Sequence, residues 1–237
     1  MFELREHVRK GRRLSLVLLG DKGFNAYSAI KGWCSTLRKR NLAQTSSVIA
    51  PLIFLLSADL SIGDYGLFTI INQKLSNPIL DLTCAYLAPA LFAVFYLITL
   101  TLLYSSKDKE DASYGVVSLV NGPLSYGVGS IVKILIARPR PLEVLDGVRI
   151  IGIWHTSTYS FPSTTTMLVF GFTLPILFKG SRYGFVLTAL SYLIGFSVIY
   201  TGYHFPSDVA AGVLLSIPIT AFTTMVKGRI KKFLDAS

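Results

Sequence analysis

The chain has 237 residues, of which 51% are hydrophobic and 15% charged, and its mean hydropathy is +0.54. That balance excludes an ordinary soluble domain, including a soluble all-helical one, because too few polar faces remain to cover the helices. A net charge of +10 would by itself suit nucleic acid, but the placement of the cations argues for a membrane and against a nucleic-acid partner.

Residues 1–42 form a basic arm that mixes charge with short apolar patches such as Leu14–Leu19. Those few apolar residues, ending at Gly20 and Asp21, make a poor core and cleavage site for a secretory signal. The arm reads as an interfacial segment held against anionic headgroups, or else as a solvated orientation signal. Six apolar runs follow, each near the roughly 20 residues that span a bilayer: Ala43–Leu60, Ile79–Tyr104, Tyr114–Ala137, Pro162–Lys179, Tyr183–Tyr203 and Pro206–Val226. The first is the weakest, diluted by Asp59 and several serines. The expected fold is therefore all-α, a six-transmembrane-helix bundle over 43–226 with a basic N-terminal arm and a basic tail, 227–237.

Ten of the 23 Lys and Arg residues precede the first span, and Lys227, Arg229, Lys231 and Lys232 follow the last. An even number of spans puts both termini on one side, and the excess of cations makes that side cytoplasmic. The loops carrying Lys107 and Lys109, and Lys179 and Arg182, fall on the same side. Lys74, Lys133, Arg138, Arg140 and Arg149 are left outside, and all but Lys74 gather around the loop between spans three and four. Cations on the disfavoured side need a local reason, and phosphate supplies one. Cys34 and Cys84 lie too far apart in this topology to suggest a disulfide. With no metal-ligand cluster and no P-loop apparent, neither a metal nor a cofactor is expected. The expected setting is the plasma membrane, with a phosphorylated lipid as partner.

Three segments carry the chemistry. The run Lys133–Pro141 (KILIARPRP) packs three cations and two prolines at the end of an apolar stretch. Phe161-Pro162-Ser163-Thr164-Thr165 and Phe205-Pro206-Ser207-Asp208 each place a proline where it favours the first position of a helix. Spans four and six are thus predicted to start at Pro162 and Pro206, with unpaired N–H groups and positive dipole ends facing out, as phosphate sites require. Lys133 and Arg140 add charge and, from Arg140, a bidentate fork; interfacial snorkelling is the bland alternative. His204 is the candidate nucleophile, and Asp208, four residues on, is placed to fix its tautomer and stabilise its cation. Their alternative is an unrelated interfacial histidine and a helix-starting aspartate.

Over roughly residues 60–226 these segments resemble the type 2 phosphatidic acid phosphatase superfamily, membrane lipid phosphatases related to vanadium haloperoxidases. Lys133 through Arg140-Pro141 matches its first motif, Lys, six residues, Arg-Pro, without a gap. Pro162-Ser163-Thr164-Thr165 stands where the second reads Pro-Ser-Gly-His. Ser197, His204 and Asp208 fall on the register of the third, Ser-Arg, five residues, His, three residues, Asp. The resemblance implies metal-independent hydrolysis through a phosphohistidine on His204, with Lys133, Arg140, Ser163, Thr164 and Thr165 around the phosphate.

Two positions depart from it. In the family the second-motif histidine protonates the leaving oxygen, which Thr165 cannot do near pH 7, and the third-motif arginine clamps a phosphate oxygen, which Val198 cannot. General acid–base catalysis is worth about 10²–10⁴-fold, so the unmodified mechanism does not carry over. Three explanations compete. His155 and Arg138 (or Arg149) are possible compensating groups, although His155 also reads as an ordinary loop residue. An isoprenoid diphosphate, whose leaving group is itself a phosphate, needs the acid least. Or catalysis is lost, and the chain is a non-catalytic binder of phosphorylated lipids. A phosphatidic acid or phosphatidylglycerophosphate phosphatase is a further reading.

The remaining residues read as structural. Asp64, Asn72, Asn77, Pro78 and Asp81 suit loop and capping roles. Gly115, Gly122, Gly127, Gly129 and Gly195 suit close helix packing, and Tyr200 and Tyr203 an interfacial aromatic belt. Asp59 is placed near the outer interface.

Overall fold

A computed structural model describes residues 42–152 and 158–235. The basic arm before Leu42 and the candidate His155 lie outside the described residues. Among those described, every regular element is helical. In chain order they are α1 (Leu42–Ile62), α2 (Asp64–Thr69) running into a π-turn (Ile70–Lys74), and α3 (Pro78–Leu82), which continues through a second π-turn (Thr83–Leu87) into α4 (Ala88–Tyr104). Then come α5 (Lys109–Ile136), the single turn α6 (Pro141–Val144), α7 (Thr164–Phe178), α8 (Arg182–Tyr200) and α9 (Pro206–Asp235).

Among the described residues, five helical stretches are long and apolar enough to cross a membrane: Leu42–Ile62, Pro78–Tyr104, Lys109–Val144, Arg182–Tyr200 and Pro206–Met225. The first run, expected to be the weakest, is among them. The short one is α7, with 15 residues. It begins at Thr164 rather than at Pro162, because Ser163 takes the N-cap position and its hydroxyl accepts the Thr166 N–H. In α9, by contrast, Pro206 is the first helical residue as expected. The fifth run ends as a helix at Tyr200, leaving Thr201–Tyr203 as a turn. At the other end of α9 the residues assigned to a separate tail continue the same helix to Asp235.

Helix α7 is the hub of the bundle, packed against α5, α8 and α9. Met167, Phe170, Leu174, Ile176 and Leu177 are all fully buried on it, so it is apolar around most of its circumference, as an enclosed helix must be. The outer helices show the complementary pattern. Phe54 of α1, Leu97 of α4 and Leu135 of α5 stand exposed on outward faces that suit hydrocarbon rather than water. The chain is a multi-helix membrane protein.

Small residues set the helix spacing at three positions. A Cβ on Gly122 would lie 2.2 Å from the Phe172 ring, one on Gly129 would lie 2.4 Å from Met167 Sδ, and one on Gly195 would lie 2.9 Å from Val209. Gly127 and Gly115 do not share this role, since nothing crowds the first and the second meets only ordinary contacts. Asn121 then ties three helices together: its Nδ2 donates to Gly171 O at 2.7 Å and Thr220 Oγ1 at 2.8 Å, and its Oδ1 accepts from Thr223 Oγ1. Buried amide groups in a bilayer need such partners, and each contact of this kind contributes about 0.6–2 kcal/mol. Two ion pairs, Lys179–Asp111 and Lys227–Glu110, close one end of the bundle. The candidate site occupies the other.

Candidate active site

Helix α5 ends abruptly just after Lys133. Ala137 adopts the left-handed conformation (φ 51°) and its N–H closes the last turn on Lys133 O. Pro139 then holds the preceding Arg138 extended, and Ser160 fastens the segment from the other side, its N–H donating to Arg138 O at 2.9 Å and its hydroxyl to Pro139 O at 2.9 Å. The chain therefore folds back across the helix ends. Lys133, which leaves α5 buried, and Arg140, which follows the turn, thus face the same region.

The histidine segment is built by α8 and α9 together. The Val198 carbonyl accepts both the Tyr203 and His204 N–H groups, at 3.0 and 3.1 Å. Gly202 makes the reversal with φ +92°, and a Cβ there would sit 2.4 Å from Arg149 O, so both the torsion and the space require glycine. Asp208 occupies the third position of α9, and its Oδ2 accepts the Phe205 N–H at 2.8 Å, the reach-back half of a capping box. The same oxygen lies 3.5 Å from His204 Nδ1. That is beyond a formed hydrogen bond, and Nδ1 has no hydrogen-bond partner among the described residues. Catalytic pairs are commonly this loose before substrate arrives.

Asp208 is fully buried, and its charge is matched by Arg138, not by the histidine. Arg138 Nη1 donates to Asp208 Oδ1 at 2.8 Å and to Ser207 Oγ at 2.6 Å, while Nη2 donates to Asp64 Oδ2 at 2.6 Å. The guanidinium also lies over the Phe205 ring, 4.2 Å from its centroid. Asp64 accepts the Ser207 N–H at 2.9 Å and the Ser207 hydroxyl at 2.6 Å, so a carboxylate from α2 closes the N-terminus of α9. Burial pushes the Asp64 carboxyl up, but the Ser207 and Arg138 hydrogen bonds outweigh it and hold it below the usual carboxylate range. Of these charges only Asp208 is fully buried, so removing Arg138 would strand that carboxylate in particular.

Electrostatics set the histidine. Burial is the main influence on the His204 imidazole and pushes it below the ordinary histidine value; the nearby Lys133 and Arg140 cations act in the same direction, and Asp208 opposes them. The environment thus favours the neutral form of the ring. Arg140 is held in place by an Nη1 bond to Tyr203 O at 2.6 Å and by its own N–H to Glu143 at 3.1 Å. The Ser163 N–H donates to Asp208 O at 3.0 Å, which joins the start of α7 to the start of α9. The N–H groups of Thr164 and Thr165, at the first positions of α7, have no intrahelical acceptor by geometry. Thr165 is half-buried and Thr164 buried.

Several sequence-level assignments change here. Arg138, considered as a substitute clamp, has its guanidinium engaged by Asp64, Ser207 and Asp208. Arg149 sits in another corner, where its Nη2 binds both Asp81 oxygens at 2.9 Å and its Nη1 binds Asn72 O. Val198 packs in the cluster of Phe68, Ile71, Cys84 and Phe205, so its side chain serves the core while its carbonyl holds the loop. Tyr200 and Tyr203 are buried rather than belted at the surface, and the Tyr200 hydroxyl donates to Asp81 at 2.6 Å. Asn77 does cap α3, accepting the Leu80 N–H. Asp64 does more than fill a loop. The Arg138–Asp64–Ser207 cluster was not anticipated; the one hint in the sequence was a third cation, Arg138, beside a pair already sufficient for phosphate.

A membrane helical bundle with a histidine, a buried carboxylate and cations gathered at the starts of two helices is an arrangement that suits the binding and transfer of a phosphoryl group. Residues 112–232 match the PAP2 superfamily, and the chain belongs to it. It is 28% identical over 146 residues to the bacitracin transport permease protein BcrC of Bacillus licheniformis, covering 62% of this chain and 69% of that one. It is 24% identical over 161 residues to the undecaprenyl-diphosphatase BcrC of Bacillus subtilis, covering 67% and 81%. Among solved structures, the PAP2-type phosphatidylglycerolphosphate phosphatase of Bacillus subtilis aligns over 81% of this chain and 98% of its own, with a TM-score of 0.50 and 21% identity, which speaks to the fold alone.

Proposed function

We propose that the protein is a six-span lipid phosphatase of the cell membrane, with cytoplasmic termini and an extracytoplasmic site, that removes phosphate from an isoprenoid diphosphate through a phosphohistidine. The observation that carries this reading is the gathering of buried His204 with Asp208, Lys133 and Arg140 near the starts of α7 and α9. The name of the Bacillus subtilis relative, an undecaprenyl-diphosphatase, supports the substrate class.

In the first step the nitrogen turned away from Asp208, Nε2 of His204, attacks the terminal phosphorus. A P–N bond forms, the P–O bond to the lipid phosphate breaks, and that phosphate leaves with the electron pair. Asp208 stabilises the imidazolium that results. Lys133, Arg140 and the Thr164 and Thr165 N–H groups receive the charge building on the equatorial oxygens. Water then attacks the phosphohistidine, the P–N bond breaks, and inorganic phosphate is released. Thr165 offers no proton near pH 7, and a phosphate leaving group tolerates that loss where an alkoxide does not.

The test is phosphate release by purified protein in detergent from a panel of isoprenyl diphosphates, phosphatidic acid and phosphatidylglycerophosphate, with and without chelator. Release from the diphosphates, undiminished by chelator, is expected. Binding of the lipids without release from any of them would identify a non-catalytic member of the family instead.

A further inference from the structure

We propose that Arg138 is a positioning residue that sets the charge and orientation of the His204–Asp208 pair, with Asp64 dividing its cation, and that it does not hold the substrate phosphate. This rests on the reading of His204 as nucleophile and Asp208 as its orienting acid.

The geometry separates Arg138 from the other two cations of its segment. Its Nη1 faces Asp208 and Ser207 and its Nη2 faces Asp64. Phe205 lies against one face of the guanidinium. The fork thus points in two directions at once, into α9 and into α2, and a lysine ammonium has no matching shape. Lys133 and Arg140, by contrast, both act on the His204 imidazole directly. Among the described residues, the charged groups around the pair are Asp208 from α9, Lys133 from α5, Arg140 from the turn after it, and Arg138 on the far side of Asp208 with Asp64 of α2 and Asp59 of α1 behind it.

Arg138 affects the histidine through Asp208. A carboxylate bonded to a guanidinium presents less negative charge to the imidazole than one without it. Arg138 accordingly lets Asp208 orient Nδ1 without making His204 so basic that it is protonated, and useless as a nucleophile, at neutral pH. Asp64 has the opposite sign of effect, since it draws part of the Arg138 cation away from Asp208. The two substitutions therefore make opposed predictions. Removing the cation should raise the His204 titration, whereas neutralising Asp64 should lower it.

The experiment uses the full chain in detergent micelles with ¹⁵N-histidine. The chain has three histidines, and His204→Ala identifies the His204 ring signals. Imidazole titrations are recorded for the unmodified protein, Arg138→Gln, Arg138→Lys and Asp64→Asn, alongside the pH dependence of kcat/KM for an isoprenyl diphosphate and the binding of vanadate. In Arg138→Gln the His204 titration is expected to move to higher pH, and the loss of kcat/KM should be at least about threefold greater at pH 6 than at pH 8. Vanadate affinity should hold. Arg138→Lys should keep the titration near its original place while losing turnover, because charge is retained and the fork is not. In Asp64→Asn the titration should move to lower pH, which keeps the proposal open to refutation if Arg138→Gln does not fold. An unmoved His204 titration in Arg138→Gln or Asp64→Asn would reduce the cluster to a structural tie and overturn the proposal. Weakened vanadate binding with an unmoved titration would make Arg138 a phosphate clamp and overturn it equally. Activity persisting in His204→Ala would remove the nucleophile reading, while the ring titrations would still judge Arg138.

Discussion

His204 Nδ1 stands 3.5 Å from Asp208 Oδ2, an oxygen already accepting the Phe205 N–H, while the other Asp208 oxygen belongs to Arg138. The aspartate is thus fixed by backbone and guanidinium before the histidine engages it. It is pre-organised to receive an imidazolium, the species that the proposed attack by His204 would leave beside it.

The pH profile follows from the burial of that ring. Because burial first, and the Lys133 and Arg140 cations after it, hold the imidazole below the ordinary histidine value of 6.5, the neutral nucleophile should persist into mildly acidic solution. The acid limb of kcat/KM is expected below pH 6.5. The same group makes the fold less stable as pH falls through that region, since protonating a buried neutral histidine favours the unfolded chain. An acid limb centred above 6.5 in a kcat/KM profile would show that another group controls the first step.

Lys133 and Arg140 should act on phosphate itself. Lys133→Ala and Arg140→Ala are each expected to weaken vanadate binding by roughly 10- to 100-fold, the range for a charged hydrogen bond of about 1.5–3 kcal/mol. Isothermal titration of the detergent-solubilised protein measures this directly. Equal affinity in both variants would mean that the cations serve only the interface.

The lack of a proton donor at Thr165 is expected to govern the choice of substrate. The unmodified protein should hydrolyse isoprenyl diphosphates in clear preference to phosphatidic acid. Thr165→His, which restores a proton donor at the start of α7, should raise monoester turnover far more than diphosphate turnover. Parity between the two classes in the unmodified protein would require another acid, for which His155 is the first to test by replacement with alanine.

Topology has its own check. Single cysteines placed near Leu142 should react with an impermeant maleimide added outside cells, and cysteines near Lys107 or Ser181 should not. The reverse pattern would put the site on the cytoplasmic face.

Much of this architecture was readable from the residues alone, and the part that was not has a common cause. Apolar runs of bilayer length announced the helices because lipid imposes a length and an apolar surface on them. The segments that form the candidate site are legible as segments because Pro206 and the spacings Lys133–Arg140 and His204–Asp208 are local. The start of α7 was misplaced because Ser163, not Pro162, supplies the cap, and both residues suit a helix start. What escaped were contacts between distant segments. Nothing near Asp64 in the sequence shows that it closes a helix starting at Pro206, and the sequence around Arg138 suits a phosphate ligand as well as it suits a partner for Asp64 and Asp208. Tyr200 differs from its expected place for the same reason, because a tyrosine near a helix end suits the lipid interface and a buried bond to Asp81 equally well.

The central claim is that phosphate passes through His204. It is tested most directly by incubating purified protein with an isoprenyl diphosphate carrying ³²P in its terminal phosphate, quenching rapidly, and comparing the unmodified chain with His204→Ala and Asp208→Asn. The account predicts an acid-labile, base-stable phosphoprotein in the unmodified chain. Label and turnover should both be absent in His204→Ala, and turnover should be at least roughly 100-fold lower in Asp208→Asn. Full phosphate release by His204→Ala would contradict it.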